Sequence, residues 1–324
     1  MTLHGHSAWR RCSGGALLAL GLIISSTLSS QAAEKVTLLL DWFINPDHAP
    51  LFIAAERGYF TDVGLEVEMI VPADPNDPPK LVAAGKADLA VSYQPQLHLQ
   101  VAEGLPLRRV ATLVATPLNC LVVLADGPVM TIADLKGRKV GFSVGGFEDA
   151  LLKAVLARHG LALSDITLIN VNFSLSPALI SGQVDAVIGA YRNFELNQLD
   201  LLNRPGRAFY LEEEGVPAYD ELILIAHATK LDDPRLPRFL DAVERGVQYL
   251  INHPAESWKL FIRGTRKDLD DELNRRAWRD TLARFALRPR ALDERRYYRF
   301  AEFLVKQGLI PKVLPVRKYA VQIE

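Results

Sequence analysis

The sequence is poor in cysteine, in charge of one sign and in long apolar runs. Its 324 residues include two cysteines, Cys12 and Cys120, and 37 basic residues balance 38 acidic ones. Cys12 lies in the N-terminal segment, so the remaining chain has one thiol, forms no internal disulfide and depends on its own hydrophobic core. The nearly neutral charge offers no basic surface, and we expect neither nucleic acid nor an anionic membrane as a partner.

Catalytic and metal-binding motifs are also absent. The sequence contains no G-x-S-x-G, P-loop, strand-following G-x-G-x-x-G or H-E-x-x-H. Its seven histidines are scattered without the spacing of metal ligands. Cys120 lies in an apolar run, where a buried small residue is a simpler interpretation than a nucleophile. The sequence therefore predicts no enzyme, no cofactor and no metal site.

The N-terminus has the pattern of a secretory signal peptide. An arginine pair at 10–11 precedes an apolar run at 14–24 and a stretch of small and polar residues that ends at Ala33. The apolar run is too short, and is interrupted by serines too soon, for a stable membrane span. We therefore predict that residues 1–33 are a signal peptide that is cleaved after Ala32 or Ala33.

After this segment, apolar runs alternate with helical patterns, and the alternation occurs twice. In both halves a helix end is followed by a glycine, two residues, an aspartate and an apolar strand: Gly85 with Asp88, then Gly182 with Asp185. The glycines fit the left-handed residue that ends a helix, and the aspartates fit a tight turn into a strand. The repeated order predicts two similar α/β lobes with largely parallel sheets.

Two such lobes imply a ligand cleft between them, because ligands of open α/β sheets bind at the carboxyl ends of the strands. We expect the first lobe at 34–125, the second at 126–225, and a return to the first lobe at 226–324. The boundary between the lobes is placed where Asp126-Gly127-Pro128 interrupts an apolar run.

Aromatic and polar residues are concentrated where the predicted strands of the first half end. The first strand runs into a segment from Asp41 to His48, and the candidate ligand-binding residues of this half are Trp42, Asn45, His48, Tyr93 and Asn119. A flat apolar ring beside donors and acceptors suits a planar heteroaromatic ligand. The same pattern is consistent with Trp42 in the core and Asp47 as a helix cap.

The second half offers two further segments. Gly145 and Gly146 allow the backbone to approach a ligand, although a glycine pair also serves a simple turn. The strand ending near Ala190 continues as Tyr191-Arg192-Asn193-Phe194-Glu195, and its candidate residues are Tyr191, Asn193 and Glu195. A carboxylate facing an aminopyrimidine accepts from the exocyclic amine and pairs with a ring nitrogen. The alternative for Glu195 is an acid in the first turn of a helix, complementing the helix dipole.

The segment from Asp41-Trp42 to His48-Ala49-Pro50, together with Ala54 to Phe60, resembles the NMT1/THI5-like family. The similarity extends from about residue 35 to about residue 254. That family includes type II periplasmic binding proteins and a eukaryotic enzyme that makes the thiamin pyrimidine. Within it, Tyr191 to Leu196 and Pro117-Leu118-Asn119 look most like the formylaminopyrimidine-binding subunits of thiamin-salvage importers.

The resemblance implies a two-lobed, monomeric periplasmic protein that delivers a pyrimidine to a membrane permease powered by a separate ATPase. Trp42, Tyr191 and Glu195 would hold the ring. The enzyme branch carries a cofactor-binding lysine where this chain has Ser92, and a cysteine-rich cluster that this chain lacks. Other relatives look like receptors for riboflavin, sulfonates or nitrate, and Glu195 would repel an anion.

Overall fold

The computed structural model describes residues 32–324, so the expected signal peptide lies almost entirely outside the described residues. Within this range the chain forms two five-stranded sheets. The strands are β1 (Glu34–Leu39), β2 (Leu65–Ile70), β3 (Leu89–Ser92), β4 (Leu107–Val114), β5 (Asn119–Leu124), β6 (Lys139–Phe142), β7 (Thr167–Asn170), β8 (Ala186–Tyr191), β9 (Gly206–Tyr210) and β10 (Leu222–His227).

Helices cover the faces of both sheets, as expected for largely parallel sheets with buried strands. They are α1 (Ala49–Glu56), α2 (Tyr59–Asp62), α3 (Pro78–Ala83), α4 (Gln94–Ala102), α5 (Glu148–Arg158), α6 (Leu175–Ile180), α7 (Glu195–Leu201), α8 (Arg235–Asn252), α9 (Pro254–Phe261), α10 (Glu272–Thr281) and α11 (Glu294–Lys306). Between residues 32 and 324, no helix has both the length and the apolar composition needed to cross a membrane.

The two sheets have the same construction. The strand order is β2-β1-β3-β10-β4 in the first and β7-β6-β8-β5-β9 in the second. In each sheet the fourth strand is antiparallel to both of its neighbours. The antiparallel strand is in each case the one that the chain adds directly after crossing from the other sheet.

The crossings between the sheets lie at 115–118 and 211–221, because β4 and β10 belong to the first sheet and β5 and β9 to the second. The expected lobe boundaries at 125/126 and 225/226 stay predictions, but the strand at Asn119–Leu124 already pairs with the second sheet. The Asp126-Gly127-Pro128 segment forms a turn after β5 rather than a passage between sheets, and the amide of Gly127 donates to the carbonyl of Leu124 at 3.1 Å.

The repeated glycine and aspartate perform the same task in both halves. Gly85 and Gly182 have φ of 68° and 73°, the left-handed conformation that ends a helix. Asp88 then accepts the backbone amide of Thr37 in β1 at 2.9 Å, and Asp185 accepts that of Lys139 in β6 at the same distance. Each aspartate therefore fixes its strand against the neighbouring parallel strand. The prediction of a duplicated corner is confirmed, and the aspartates do more than turn the chain.

The close crossing of α1 and α8 generates a stability prediction. A Cβ atom on Gly246 would lie 2.5 Å from the carbonyl oxygen of Pro50 and 3.0 Å from Cβ of Ala54. Alanine normally stabilises a helix interior by about 1 kcal/mol relative to glycine. Here we expect Gly246→Ala to lower the free energy of unfolding by ~1–3 kcal/mol, the cost of overpacking, as measured by urea unfolding.

The matched control is Gln248→Ala on the exposed face of the same helix. It raises helix propensity slightly without creating a contact. Its free energy of unfolding should therefore stay within about 0.5 kcal/mol of the parent's. Equal or greater stability of Gly246→Ala would contradict the close packing of α1 on α8.

Candidate functional site

A cavity lies between the carboxyl ends of strands from both sheets. It contains about 460 Å³ of empty space, including its open mouth. Its walls combine aromatic rings and carboxyl groups with a few aliphatic side chains: Asp41, Trp42, Asn45, Asp47, Tyr93, Val144, Phe147, Glu148, Tyr191, Phe194, Glu195 and Leu222. We take this cavity as the candidate functional site.

Asp41 organises the wall that the first sheet contributes. Its Oδ1 lies 2.8 Å from Nε2 of His48, and its Oδ2 accepts the hydroxyl hydrogen of Tyr93 at 2.8 Å. The other ring nitrogen of His48 accepts the backbone amide of Asn45 at 3.3 Å, which places a hydrogen on Nε2. His48 is completely buried behind Asp41. It therefore orients the Asp41 carboxyl rather than lining the cavity.

Asp47 connects three parts of the chain. Its Oδ1 accepts Nδ2 of Asn193 at 2.7 Å and lies 2.8 Å from the hydroxyl of Thr281, at the end of α10. Its Oδ2 has no hydrogen-bond partner among the described residues although it is buried. Burial raises the pKa of Asp47 to about 6, against the hydrogen bonds from Thr281 and Asn193, which lower it. Asn193, expected to bind ligand, instead connects the second sheet to Asp47.

Two glutamates from the second half complete the acidic lining. Glu195, the first residue of α7, accepts the amide of Tyr191 at 2.7 Å. Glu148, the first residue of α5, accepts the amides of Ser143 at 2.8 Å and Val144 at 3.2 Å. Burial raises the pKa of Glu195 to about 7 and that of Glu148 to about 8, because these backbone amides only partly replace water.

Aromatic rings from both halves meet at the cavity. Tyr93 and Phe147 stack with centroids 5.0 Å apart, and Trp42 packs edge-on against Phe173 at 4.5 Å. Tyr191 also lines the cavity, and its buried hydroxyl has no partner among the described residues. The walls thus offer flat apolar surfaces beside unpaired polar atoms, the combination that a planar polar ligand requires.

No lysine, arginine or histidine is among the residues that line this cavity. Arg192 is next to Tyr191 in the sequence, but its guanidinium binds both carboxylate oxygens of Glu212, at 2.6 and 2.9 Å, and covers the ring of Tyr210. It therefore contributes no free positive charge to the cavity. Among residues 32–324, no group of three or more histidine, cysteine, aspartate or glutamate side chains has the arrangement of a metal site.

The structure brings together five of the nine predicted residues: Trp42, Asn45, Tyr93, Tyr191 and Glu195 all line the cavity. The other four lie around it. His48 and Asn193 hold Asp41 and Asp47, as described above. Asn119 accepts the amide of Gly189 at 3.0 Å from inside β5, and the amide of Gly145 donates to Oδ1 of Asn76 at 2.9 Å.

Sequence reasoning missed several lining residues, most of them next to predicted ones. Asp47 was considered only as a possible helix cap, but Asn45 is the residue that caps, accepting the amide of Asp47 at 2.8 Å. Glu148 follows the glycine pair by two residues and was not among the candidate residues. The position of Glu195 at a matching helix start was the signal that could have identified Glu148.

Comparisons with known proteins identify the family of this chain. The profile described as NMT1/THI5 like matches residues 45–257. A Haemophilus influenzae protein named for thiamine biosynthesis is 54% identical over 305 residues, 94% of this chain and 96% of its own length. The formylaminopyrimidine-binding protein of Halalkalibacterium halodurans is 34% identical over 250 residues, 76% of each chain.

The chain belongs to the NMT1/THI5-like family. Among solved structures, the alkanesulfonate-binding protein SsuA of Xanthomonas axonopodis pv. citri superposes with a TM-score of 0.69 at 19% identity, over 90% of this chain and 100% of its own. At that identity the likeness shows the fold alone. The expected two-sheet α/β architecture is thereby confirmed as a periplasmic binding protein fold.

The buried carboxyls generate a pH prediction for the ligand-free protein. Because Glu148 has a higher pKa folded than unfolded, the folded state binds more protons between about pH 4.5 and 8, and stability falls as pH rises through this window. Buried His98, whose pKa is lowered to about 3, has the opposite effect below its ordinary pKa of 6.5. We therefore expect the melting temperature to fall from pH 6.5 to 8.5, and to fall less in Glu148→Gln.

The control for this measurement is Glu103→Gln, at an exposed carboxyl. It should keep the parent's slope of melting temperature against pH. A parent that becomes more stable between pH 6.5 and 8.5, or a Glu148→Gln variant with an unchanged slope, would contradict the burial of a protonated Glu148.

Proposed function

We propose that this protein is the substrate-binding component of an ABC importer for a thiamin pyrimidine precursor, with formylaminopyrimidine as the preferred ligand. The supporting observation is a cavity with aromatic walls, four carboxyl groups and no cationic side chain. An aminopyrimidine matches each part of this lining. Its ring is flat, its exocyclic amine donates hydrogen bonds, and its ring nitrogens accept them or take up a proton.

Glu195 is the group assigned to the amine and the adjacent ring nitrogen. Glu195 is 7% exposed as a residue, and its carboxyl has only backbone partners. Its pKa of about 7 allows it to share a proton with a weakly basic ring nitrogen at neutral pH. A shared proton gives a charge-assisted pair, which is stronger than a bond between neutral groups. Trp42 and Tyr191 provide the rings that cover the faces of the pyrimidine.

The lining argues against the other ligand classes. A sulfonate or nitrate would bring a negative charge into a cavity whose lining contains four carboxyl groups and no cationic side chain to balance it. Riboflavin shares the planar ring but is far larger than a pyrimidine, so it would have to extend out through the mouth of the cavity. We therefore keep other planar heterocycles as the second candidate class and place anions last.

A binding role fits the chain better than pyrimidine synthesis. The enzyme branch of the family has a cofactor-binding lysine where this chain has Ser92, and Ser92 is buried with its hydroxyl donating to Gln96 at 2.9 Å. The described part of the chain has one cysteine, Cys120, which is completely buried. Burial raises the pKa of its thiol to about 12, so it is a poor nucleophile.

In this proposal the protein is exported to the periplasm and acts as a monomer. The two sheets with their helices close on the pyrimidine, and both then contact a membrane permease that a separate ATPase powers. Contacts that would stabilise the closed form cross the cleft at several points. Asn193 binds Asp47, Asn197 donates to Asp280 at 2.8 Å, and Asn76 binds the amide of Gly145.

The assignment of Glu195 predicts the effect of removing it. Glu195→Ala should weaken formylaminopyrimidine binding by ~1.5–3 kcal/mol, the value of a charge-assisted hydrogen bond. This corresponds to a Kd about 10- to 150-fold higher, measured by isothermal titration calorimetry at pH 7. The matched control is the exposed Glu213→Ala, which should bind like the parent.

A thermal-shift screen decides between ligand classes in one experiment. The panel contains formylaminopyrimidine, hydroxymethylpyrimidine, riboflavin, taurine and nitrate. We expect stabilisation by the two pyrimidines, because a ligand that binds only the folded state raises its stability. Stabilisation by taurine or nitrate alone would overturn the proposed ligand class.

A further inference from the structure

Glu148 is a polar group of the cavity to which the proposed function assigns no ligand contact. It is 3% exposed, lines the cavity and begins α5 directly after the loop that follows β6. Its Oε2 accepts the amides of Ser143 and Val144, whereas its Oε1 has no hydrogen-bond partner among the described residues. A carboxyl oxygen in a cavity wall that no protein group occupies is available to a ligand.

Glu148 and Glu195 occupy equivalent positions at the starts of the helices that follow two adjacent strands. β6 and β8 pair in parallel, with Val140 opposite Ala186, and each strand leads through a short loop into a helix whose first residue is the glutamate. Each glutamate accepts a backbone amide from the residue four positions earlier. The carboxyl ends of neighbouring parallel strands therefore contribute two acidic groups to the lining of one cavity.

The absence of a side chain at Gly189 leaves room for the Glu148 carboxyl. This glycine lies in β8 with φ of +97°, and a Cβ atom there would collide with the carboxyl of Glu148. Its amide is held by Oδ1 of Asn119 at 3.0 Å, so the strand cannot move away easily. Because position 189 has no side chain, Glu148 lies directly against β8. The last residue of this strand is Tyr191, whose amide donates to Glu195.

The surroundings of Glu148 favour its neutral form. No cation lines the cavity, and the nearby acidic groups Glu221 and Asp149 act against ionisation, as burial does. Since Oε2 is occupied as an acceptor, the proton belongs on Oε1. A neutral Glu148 therefore carries an O–H donor at the cavity wall, and Oε1 makes no hydrogen bond to the described residues.

We propose that Glu148 is a specificity-determining residue, whose Oε1–H donates a hydrogen bond to a carbonyl oxygen on the substituent of the pyrimidine, while Glu195 binds the ring edge. This inference rests on the proposed function. It gives Glu195 and Glu148 separate roles. Glu195 binds the aminopyrimidine ring, and Glu148 distinguishes an N-acylated aminomethyl group from a substituent that lacks an acceptor.

The test compares ligands within each variant. Dissociation constants are measured calorimetrically at pH 7 for N-formyl-4-amino-5-aminomethyl-2-methylpyrimidine, for the unformylated aminomethyl compound and for 4-amino-2,5-dimethylpyrimidine, which keeps the ring but has no acceptor on its substituent. The proteins are the parent, Glu148→Gln, which keeps a donor at this position, and Glu148→Met, which keeps the length without a donor.

We expect the parent to prefer the formylated over the dimethyl compound, with the preference kept in Glu148→Gln and reduced about tenfold in Glu148→Met, the effect of one lost hydrogen bond. Using a ratio within one variant removes any general loss of stability. If Glu148→Met fails to fold, Glu148→Asp, which withdraws the acid from the cavity, should reduce the same ratio.

Three results are distinguishable. An unchanged ratio in Glu148→Met would overturn the role of Glu148 while leaving the proposed function intact. The second result is that both the Gln and the Met variant lose binding of the aminomethyl compound while the preference for the formylated compound is unchanged. This would show that an ionised Glu148 binds an ammonium group, and would also overturn the proposed role of Glu148. A parent that binds none of the three pyrimidines would instead contradict the proposed function itself.

Discussion

Burial of carboxyl groups without a positive partner is the constraint around which the site of this protein is built. Asp47, Glu148 and Glu195 all lie in the cavity wall, and burial raises the pKa of each. A charged carboxylate is expensive to remove from water, so these groups are held by backbone amides and side-chain donors or keep a proton. In the proposed function, the same lining disfavours an anion and suits a ligand with several hydrogen-bond donors and a weakly basic ring.

The fold supplies the positions for these groups. Parallel strands β6 and β8 end at the same edge of the second sheet, and each is followed by a helix that begins with a glutamate. The first sheet contributes the segment from Asp41 to Asp47, and helix α10 contacts this segment through Thr281. Because the chain crosses between the sheets at 115–118 and 211–221, each half folds around its own sheet while both contribute to one cavity.

Much of this architecture could be predicted from the sequence, because local patterns determine it. The repeated Gly and Asp at 85/88 and 182/185 gave the duplicated corners, and five predicted residues do line the cavity. Side-chain direction could not be predicted. Whether Asn193 faces a ligand or Asp47 depends on the position of α10, far away in the sequence. The crossing at 115–118 was hidden for a similar reason, since only strand pairing shows that β5 has left the first sheet.

The most direct test of the central claim is a crystal structure of the protein with formylaminopyrimidine. We expect the pyrimidine ring to lie between the aromatic walls of the cavity, with its exocyclic amine and adjacent ring nitrogen within about 3 Å of the Glu195 carboxyl. A ring bound elsewhere on the protein, or bound in the cavity with Glu195 still contacting only the amide of Tyr191, would contradict it.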